Sequence, residues 1–171
     1  NMNLKKVVLA SICWRLVLFV FLLFAVNYLP LQKNFLGGGI ANYLKNPFFW
    51  AWLNFDGEHY LSLAQIGYQP LTYFYFPLFP IIVRFLASLI DKSFINFAVS
   101  GLLVSNVSFL IGLIGLIRLI SLDYNKNIAR LSVILLLLFP TSFYFGSFYT
   151  ESLFFALSVW AFYFARKDKW I

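Results

Sequence analysis

From Val7 to Leu29 the chain runs for 23 residues with a single charged side chain, Arg15. A helix that crosses a bilayer needs about 20 such residues, and ~17–25 are usual. In hydrocarbon every backbone N–H and C=O must find its partner inside the segment, so the run is read as a helix. Four more apolar segments follow: Tyr73–Ile90, Phe94–Ile117, Ile128–Phe145 and Thr150–Ala165. Only 11% of the 171 residues are charged and 62% are hydrophobic. A soluble domain carries about a quarter charged residues, and a core of this size cannot enclose so much apolar surface. The pattern predicts an all-α polytopic membrane protein, with residues 1–171 as one transmembrane domain. The first run is too long for a signal-peptide core and is followed by no small-x-small cleavage pattern. It is therefore expected to stay as a signal anchor.

Basic residues set the topology. Tyr73–Ile90 contains Pro77, Pro80 and Arg84, and is expected to lie on the surface while the other four segments cross. With the N-terminus inside, Lys5, Lys6, Arg118, Lys126, Arg130, Arg166, Lys167 and Lys169 then fall on the cytoplasmic side. Lys33, Lys45, Arg84 and Lys92 fall outside, over a much longer loop. Letting all five segments cross from the same start would leave only Lys5, Lys6 and Lys92 inside, against the positive-inside rule. About four transmembrane helices are therefore expected, with residues 30–93 as an extracytoplasmic first loop and a second loop at residues 146–149. Asp56, Glu58, Asp91 and Glu151 lie on that outer side, whereas Asp123 and Asp168 sit among the inner basic clusters. The net charge of +7 is spread over helix ends and forms no phosphate-tracking patch, so no nucleic-acid partner is expected.

The single cysteine, Cys13, excludes an intrachain disulfide. Arg15 either snorkels from a helix that starts deeper than Val7 or meets a partner inside the bundle. Leu36 and the glycines Gly37–Gly39 read as a connector. The chain stops just after a hydrophobic segment and a basic cluster, and is expected to be part of a longer one.

Chemistry is expected in two places. In Asn54-Phe55-Asp56-Gly57-Glu58-His59-Tyr60, Asp56 is a natural N-cap for a helix from Gly57 to Ile66, which Gly67 would stop. His59 and Tyr60 return to its face one turn on. Asp56 then either only caps an interfacial helix beside a solvated Glu58, or serves as a general base beside aromatic surface. In the second stretch, Pro140 breaks the third span and Thr150 can cap the last helix. That leaves Glu151 in a first turn favourable to negative charge, where it is equally a candidate for function at membrane depth. Arg84 and Lys92 either anchor to headgroups or meet a lipid-linked phosphate.

These stretches resemble a known family. Phe55-Asp56-Gly57-Glu58-His59-Tyr60-Leu61-Ser62-Leu63-Ala64-Gln65-Ile66-Gly67-Tyr68 is similar to the W-D-x-x-x-Y-x-x-I-A-x-x-G-Y signature of the PIG-V family, the GPI mannosyltransferase 2 enzymes and their bacterial relatives. Phe76-Pro77-Leu78-Phe79-Pro80 resembles its F-P-L-Y-P. The stretch from Phe139 to Phe154 resembles F-P-T-x-F-F-F-x-x-x-Y-T-E-S-L-F. The match departs at Phe55, where the family usually has Trp.

The resemblance implies the N-terminal module of a GT-C glycosyltransferase, with juxtamembrane helices in the first outer loop. It implies mannosyl transfer, with inversion, from a polyprenyl- or dolichyl-phosphate donor to a glycan or glycolipid acceptor. The catalytic residues would be Asp56 as general base, with Glu151. His59, Tyr60, Arg84, Tyr149 and Thr150 would bind substrate. No metal and no cofactor is implied. The active site would face outward from a bacterial plasma membrane, or into the endoplasmic reticulum of a eukaryote. The rival expectation is a non-catalytic transporter, a flippase part or an assembly subunit for lipid-linked glycans.

Overall fold

A computed structural model describes residues 4–30 and 40–168. Within them the chain is helical without a strand: α1 Leu4–Tyr28, α2 Ile40–Lys45, α3 Pro47–Trp50, α4 Asp56–Ile66, α5 Leu78–Ser88, α6 Phe94–Ile120, α7 Lys126–Leu138, a 3-10 segment Pro140–Gly146, and α8 Glu151–Ala165. The Leu36–Gly39 connector, Lys33 and Lys169 lie outside the described residues.

α6 is the hub, packing against α1, α4, α5, α7, α8 and the 3-10 segment. Its buried face is lined with small residues, among them Ser100, Gly101, Ser105, Ser108, Gly112 and Gly115. Such residues let helices approach closely where lipid offers no hydrophobic drive for association. A Cβ on Gly112 would stand 2.7 Å from Phe155 Cε1 and 3.3 Å from Ala156 Cα, so α8 lies almost on the α6 backbone. Polar groups reinforce the contact, with Trp160 Nε1–H donating to the Ile111 carbonyl at 3.0 Å. At the basic end, Arg166 grips Asp123 through two bonds of 2.6 and 2.9 Å. This joins the α6–α7 turn to the end of α8 and puts two of the inner basic clusters on one face.

Two helices, α1 and α6, are long and apolar enough to cross a membrane. The expected third crossing, Ile128–Phe145, is not one straight helix. Pro140 has no N–H to continue the ladder, Phe139 turns extended with ψ 134, and the chain bends by 87° into the 3-10 segment. Counted with its bend, α7 makes a third candidate span. The expected fourth crossing, α8, has 15 residues, about 22 Å of helix, against the ~30 Å of a hydrocarbon core. By length and hydropathy two helices qualify as spans, or three with the bent pair, and α8 joins them as a shorter apolar helix, as a polytopic membrane protein requires. Tyr73–Ile90 contains only the 11 residues of α5, about 16 Å long. One face of α5 buries Phe79, Val83 and Ala87, and the other exposes Ile81 and Phe85.

α1 packs loosely, with only Val7 and Trp14 buried. Trp14 meets Phe109 with ring centroids 5.0 Å apart and donates from Nε1 to Ser142 Oγ at 3.1 Å. A second core, formed by Leu53, Tyr60, Leu63, Phe79, Phe97 and Phe148, holds α4 and α5 on α6.

Candidate active site

The N-terminal ends of α4 and α8 are brought together by the segments that precede them. Phe148 N–H donates to the Trp52 carbonyl at 2.8 Å, and the Tyr149 hydroxyl donates to the Asn54 carbonyl at 2.7 Å. Gly57 completes the seam, since a Cβ there would stand 3.2 Å from the Phe148 carbonyl oxygen. Ser105, from α6, ties the other side by donating to the Tyr149 carbonyl at 3.2 Å. One turn into α4, the Tyr60 hydroxyl and Thr150 Oγ1 are 3.3 Å apart. Residues some 90 positions apart in sequence thus share one small volume.

The local geometry differs from the expected caps. Asp56 is the first residue of α4, and the N-cap position belongs to Phe55, whose φ is 54°. A left-handed φ on a bulky residue costs about 1–3 kcal/mol, and here it sits directly before the acid. The carboxylate accepts a long hydrogen bond, 3.5 Å, from the Tyr75 hydroxyl. Thr150 does occupy the N-cap of α8, but its side chain makes no capping bond because it faces Tyr60. Asp56 and Glu151 therefore each stand in the first turn of a helix, exposed at the surface of the site, where the helix dipole favours a negative charge. Gly67 ends α4 as expected, at φ 87° and with its N–H on the Leu63 carbonyl.

The two acids act on the same phenols. Burial pushes the Tyr60 hydroxyl above the usual phenol range; its contact with Thr150 opposes this, and the charges of Glu151 and Asp56 add to the rise. Tyr149 is pushed up strongly, by burial first, then by Tyr144, Asp56, Glu151 and Glu58. Both hydroxyls stay protonated across the neutral range, that of Tyr149 held on the Asn54 carbonyl. Tyr75 forms the wall opposite, its ring stacked on His59 at 5.3 Å and edge-on to Tyr60 at 5.0 Å.

Asp56, His59, Tyr60, Tyr149, Thr150 and Glu151 all gather here. Arg84 does not. Its Nε donates to the Ala64 carbonyl at 2.7 Å and its Nη2 to that of Leu63 at 3.3 Å. This places the guanidinium at the C-terminal end of α4, away from Asp56, where a cation suits the carbonyl end of the dipole. Glu58 is not simply solvated either: its Oε1 is enclosed without a hydrogen-bond partner. Burial pushes its carboxyl above the ordinary 4.5, and His59 partly offsets this. Tyr75, Trp52 and Asn54 were missed from the sequence, since nothing in their spacing ties them to Asp56.

Beside this cluster a cavity of about 490 Å³ opens between the start of α4 and the end of α1, walled by Asn54, Phe55, Tyr144 and Tyr149 on one side and by Ala25 and Leu29 on the other. The cavity wall includes Phe55, the residue before Asp56, and Tyr149, the phenol that both acids influence. The family mannosyltransferase (PIG-V) matches residues 6–169. The chain belongs to the PIG-V mannosyltransferase family. Comparison with curated proteins and with solved structures gave no match. Membership of PIG-V makes this chain an integral membrane protein of a glycosyltransferase family. The family match takes in both α4 and the start of α8, the two elements that carry Asp56 and Glu151.

Proposed function

We propose that this PIG-V family member transfers a mannosyl residue from a polyprenyl-phosphate-linked donor to a hydroxyl of a glycan or glycolipid acceptor, on the extracytoplasmic face. The observation that carries this is the convergence of Asp56 and Glu151 on Tyr60 and Tyr149 at the edge of the apolar cavity.

In this mechanism Asp56 takes the proton of the acceptor hydroxyl as its oxygen attacks the anomeric carbon. The bond to the donor phosphate breaks from the opposite side, which inverts the configuration. The proton ends on Asp56 and the electron pair on the lipid phosphate. That phosphate is already stable as an anion, so departure needs no general acid, metal or cofactor. Glu151 binds acceptor hydroxyls beside the base, and the protonated Tyr60 and Tyr149 fix its surroundings. His59, exposed and stacked on Tyr75, offers a sugar-binding surface.

The test uses membranes containing the protein, supplied with labelled polyprenyl-phosphate mannose. Asp56→Asn should abolish transfer while leaving the protein inserted and folded. Transfer at the parental rate would remove Asp56 from the mechanism and favour a non-catalytic role.

A further inference from the structure

Arg15 is the only charged residue of α1 beyond the first turn, and a cation inside a span is costly unless it has a partner. Its guanidinium lies over the Trp52 ring, with Cζ 3.8 Å from the centroid. Its Nη1 is enclosed and has no hydrogen-bond partner. Among the described residues no carboxylate comes within 4.0 Å of it. The group is fixed on its other side by the 3-10 segment, since a Cβ at Gly146 would run into Nη1. A cation–π contact orients a guanidinium and leaves its charge intact. Arg15 is thus an oriented cation without a counter-ion.

Its position relative to the two acids is specific. Trp52 precedes Asp56 by four residues, and Gly146 precedes Glu151 by five, so the segments that hold the guanidinium are those that deliver the acids. An apolar cavity of about 710 Å³ runs between α1 and α7, and its wall holds Trp14 and Trp52, the latter being the ring that the guanidinium covers. That cavity and the one at the acids share Ala25, Ala51 and Phe143. Of the other described cations in residues 30–93, Arg84 is bonded to backbone carbonyls, and Lys45 and Lys92 are exposed on the surface.

We infer that Arg15 is the binding residue for the phosphate of an isoprenoid-linked substrate, with the isoprenoid chain lying in the α1–α7 cavity. The inference rests on the proposed transferase function, in which a lipid phosphate is the leaving group. An unpaired guanidinium supplies the charge-assisted, bidentate recognition that a phosphate accepts, and an adjoining apolar cavity selects an anion that carries a hydrocarbon tail.

Binding can be tested apart from transfer, with the protein in phosphatidylcholine nanodiscs and polyprenyl phosphate and polyprenol as probes. The parent should bind the phosphate at least about tenfold more tightly than the alcohol. Arg15→Gln should abolish that preference and leave polyprenol binding unchanged, and Arg15→Lys should keep part of it. Gly146→Ala moves the guanidinium without removing its charge, and should weaken phosphate binding even if Arg15→Gln does not fold. Doping the discs with phosphatidylglycerol should not compete. An unchanged preference in Arg15→Gln or, where that variant does not fold, in Gly146→Ala overturns the inference, as does full competition by phosphatidylglycerol, which would mark a general headgroup site. Phosphate preference without any mannosyl transfer would sink the transferase function alone, whereas normal transfer by Arg15→Gln would sink only the phosphate site.

Discussion

Tyr75 links Asp56 and His59: its hydroxyl donates to Asp56 Oδ1 at 3.5 Å while its ring stacks on the imidazole at 5.3 Å. Burial, followed by the Asp56 charge, pushes the Tyr75 phenol up, so it remains a donor throughout the neutral range. Long hydrogen bonds of this kind commonly tighten once substrate excludes water. Tyr75→Phe keeps the ring packing and removes the donor. The expected result is a fall in kcat of roughly tenfold at unchanged KM, since a bond to a charged group is at stake. Steady-state kinetics decide it, and an unchanged kcat would make Tyr75 a packing residue only.

Glu58 predicts a pH effect on stability. Its folded carboxyl titrates above the ordinary 4.5, so the folded state binds more protons than the unfolded state between those two values. Stability therefore falls as pH rises through that window. Glu58→Gln removes the ionisation. It should raise the apparent melting temperature in detergent at pH 7, with the gain shrinking to nothing below about pH 4.5, the ordinary value for the group. A gain that stays constant with pH would show that the carboxyl does not titrate in this way.

The α6–α8 contact admits no side chain at Gly112. Gly112→Leu would press on Phe155 and Ala156, and overpacking of this sort destabilises by about 1–3 kcal/mol. Because α8 carries Glu151, activity should fall together with the unfolding midpoint. A folded, fully active Gly112→Leu protein would mean that α8 is not seated on this face.

Sidedness is checked by labelling. In a Cys13→Ser background, Ser88→Cys should react with an impermeant maleimide on intact cells, and Lys126→Cys only after permeabilisation. Both positions are exposed in the fold. Labelling of Lys126→Cys from outside would reverse the topology drawn from the basic residues.

The amino-acid sequence discloses the class of fold readily, because an apolar run such as Phe94–Ile117 satisfies its own backbone and needs no tertiary information. Asp56 and Glu151 were also legible, as rare charges in an apolar chain. The bend at Pro140 was legible as a break, but not the contact that follows it, in which Trp14 donates to Ser142 from 128 residues earlier. Arg84 was misplaced for a similar reason. Its place in the sequence shows only nearness to the membrane, while its partners are carbonyls 20 and 21 residues earlier. Tyr75 and Trp52 belong to a chain with 22 Phe, 10 Tyr and 5 Trp, so residue type alone cannot separate an aromatic ring that contacts Asp56 or Arg15 from one that only packs.

The shortness of α7 and α8 has a consequence for the substrate. Measured from the basic face that Asp123 and Arg166 share, α7 ends after 13 residues and α8 begins 15 residues away. Those lengths are about 20 and 22 Å, against a hydrocarbon core of about 30 Å. With that face at one membrane surface, the bend at Phe139–Pro140 and the acid at Glu151 would fall short of the other by about a third to a quarter of the core. Under the proposed transferase function, a sugar on a lipid phosphate would not have to be lifted into water to reach them. It would be delivered sideways from the leaflet, with its tail still dissolved among its neighbours.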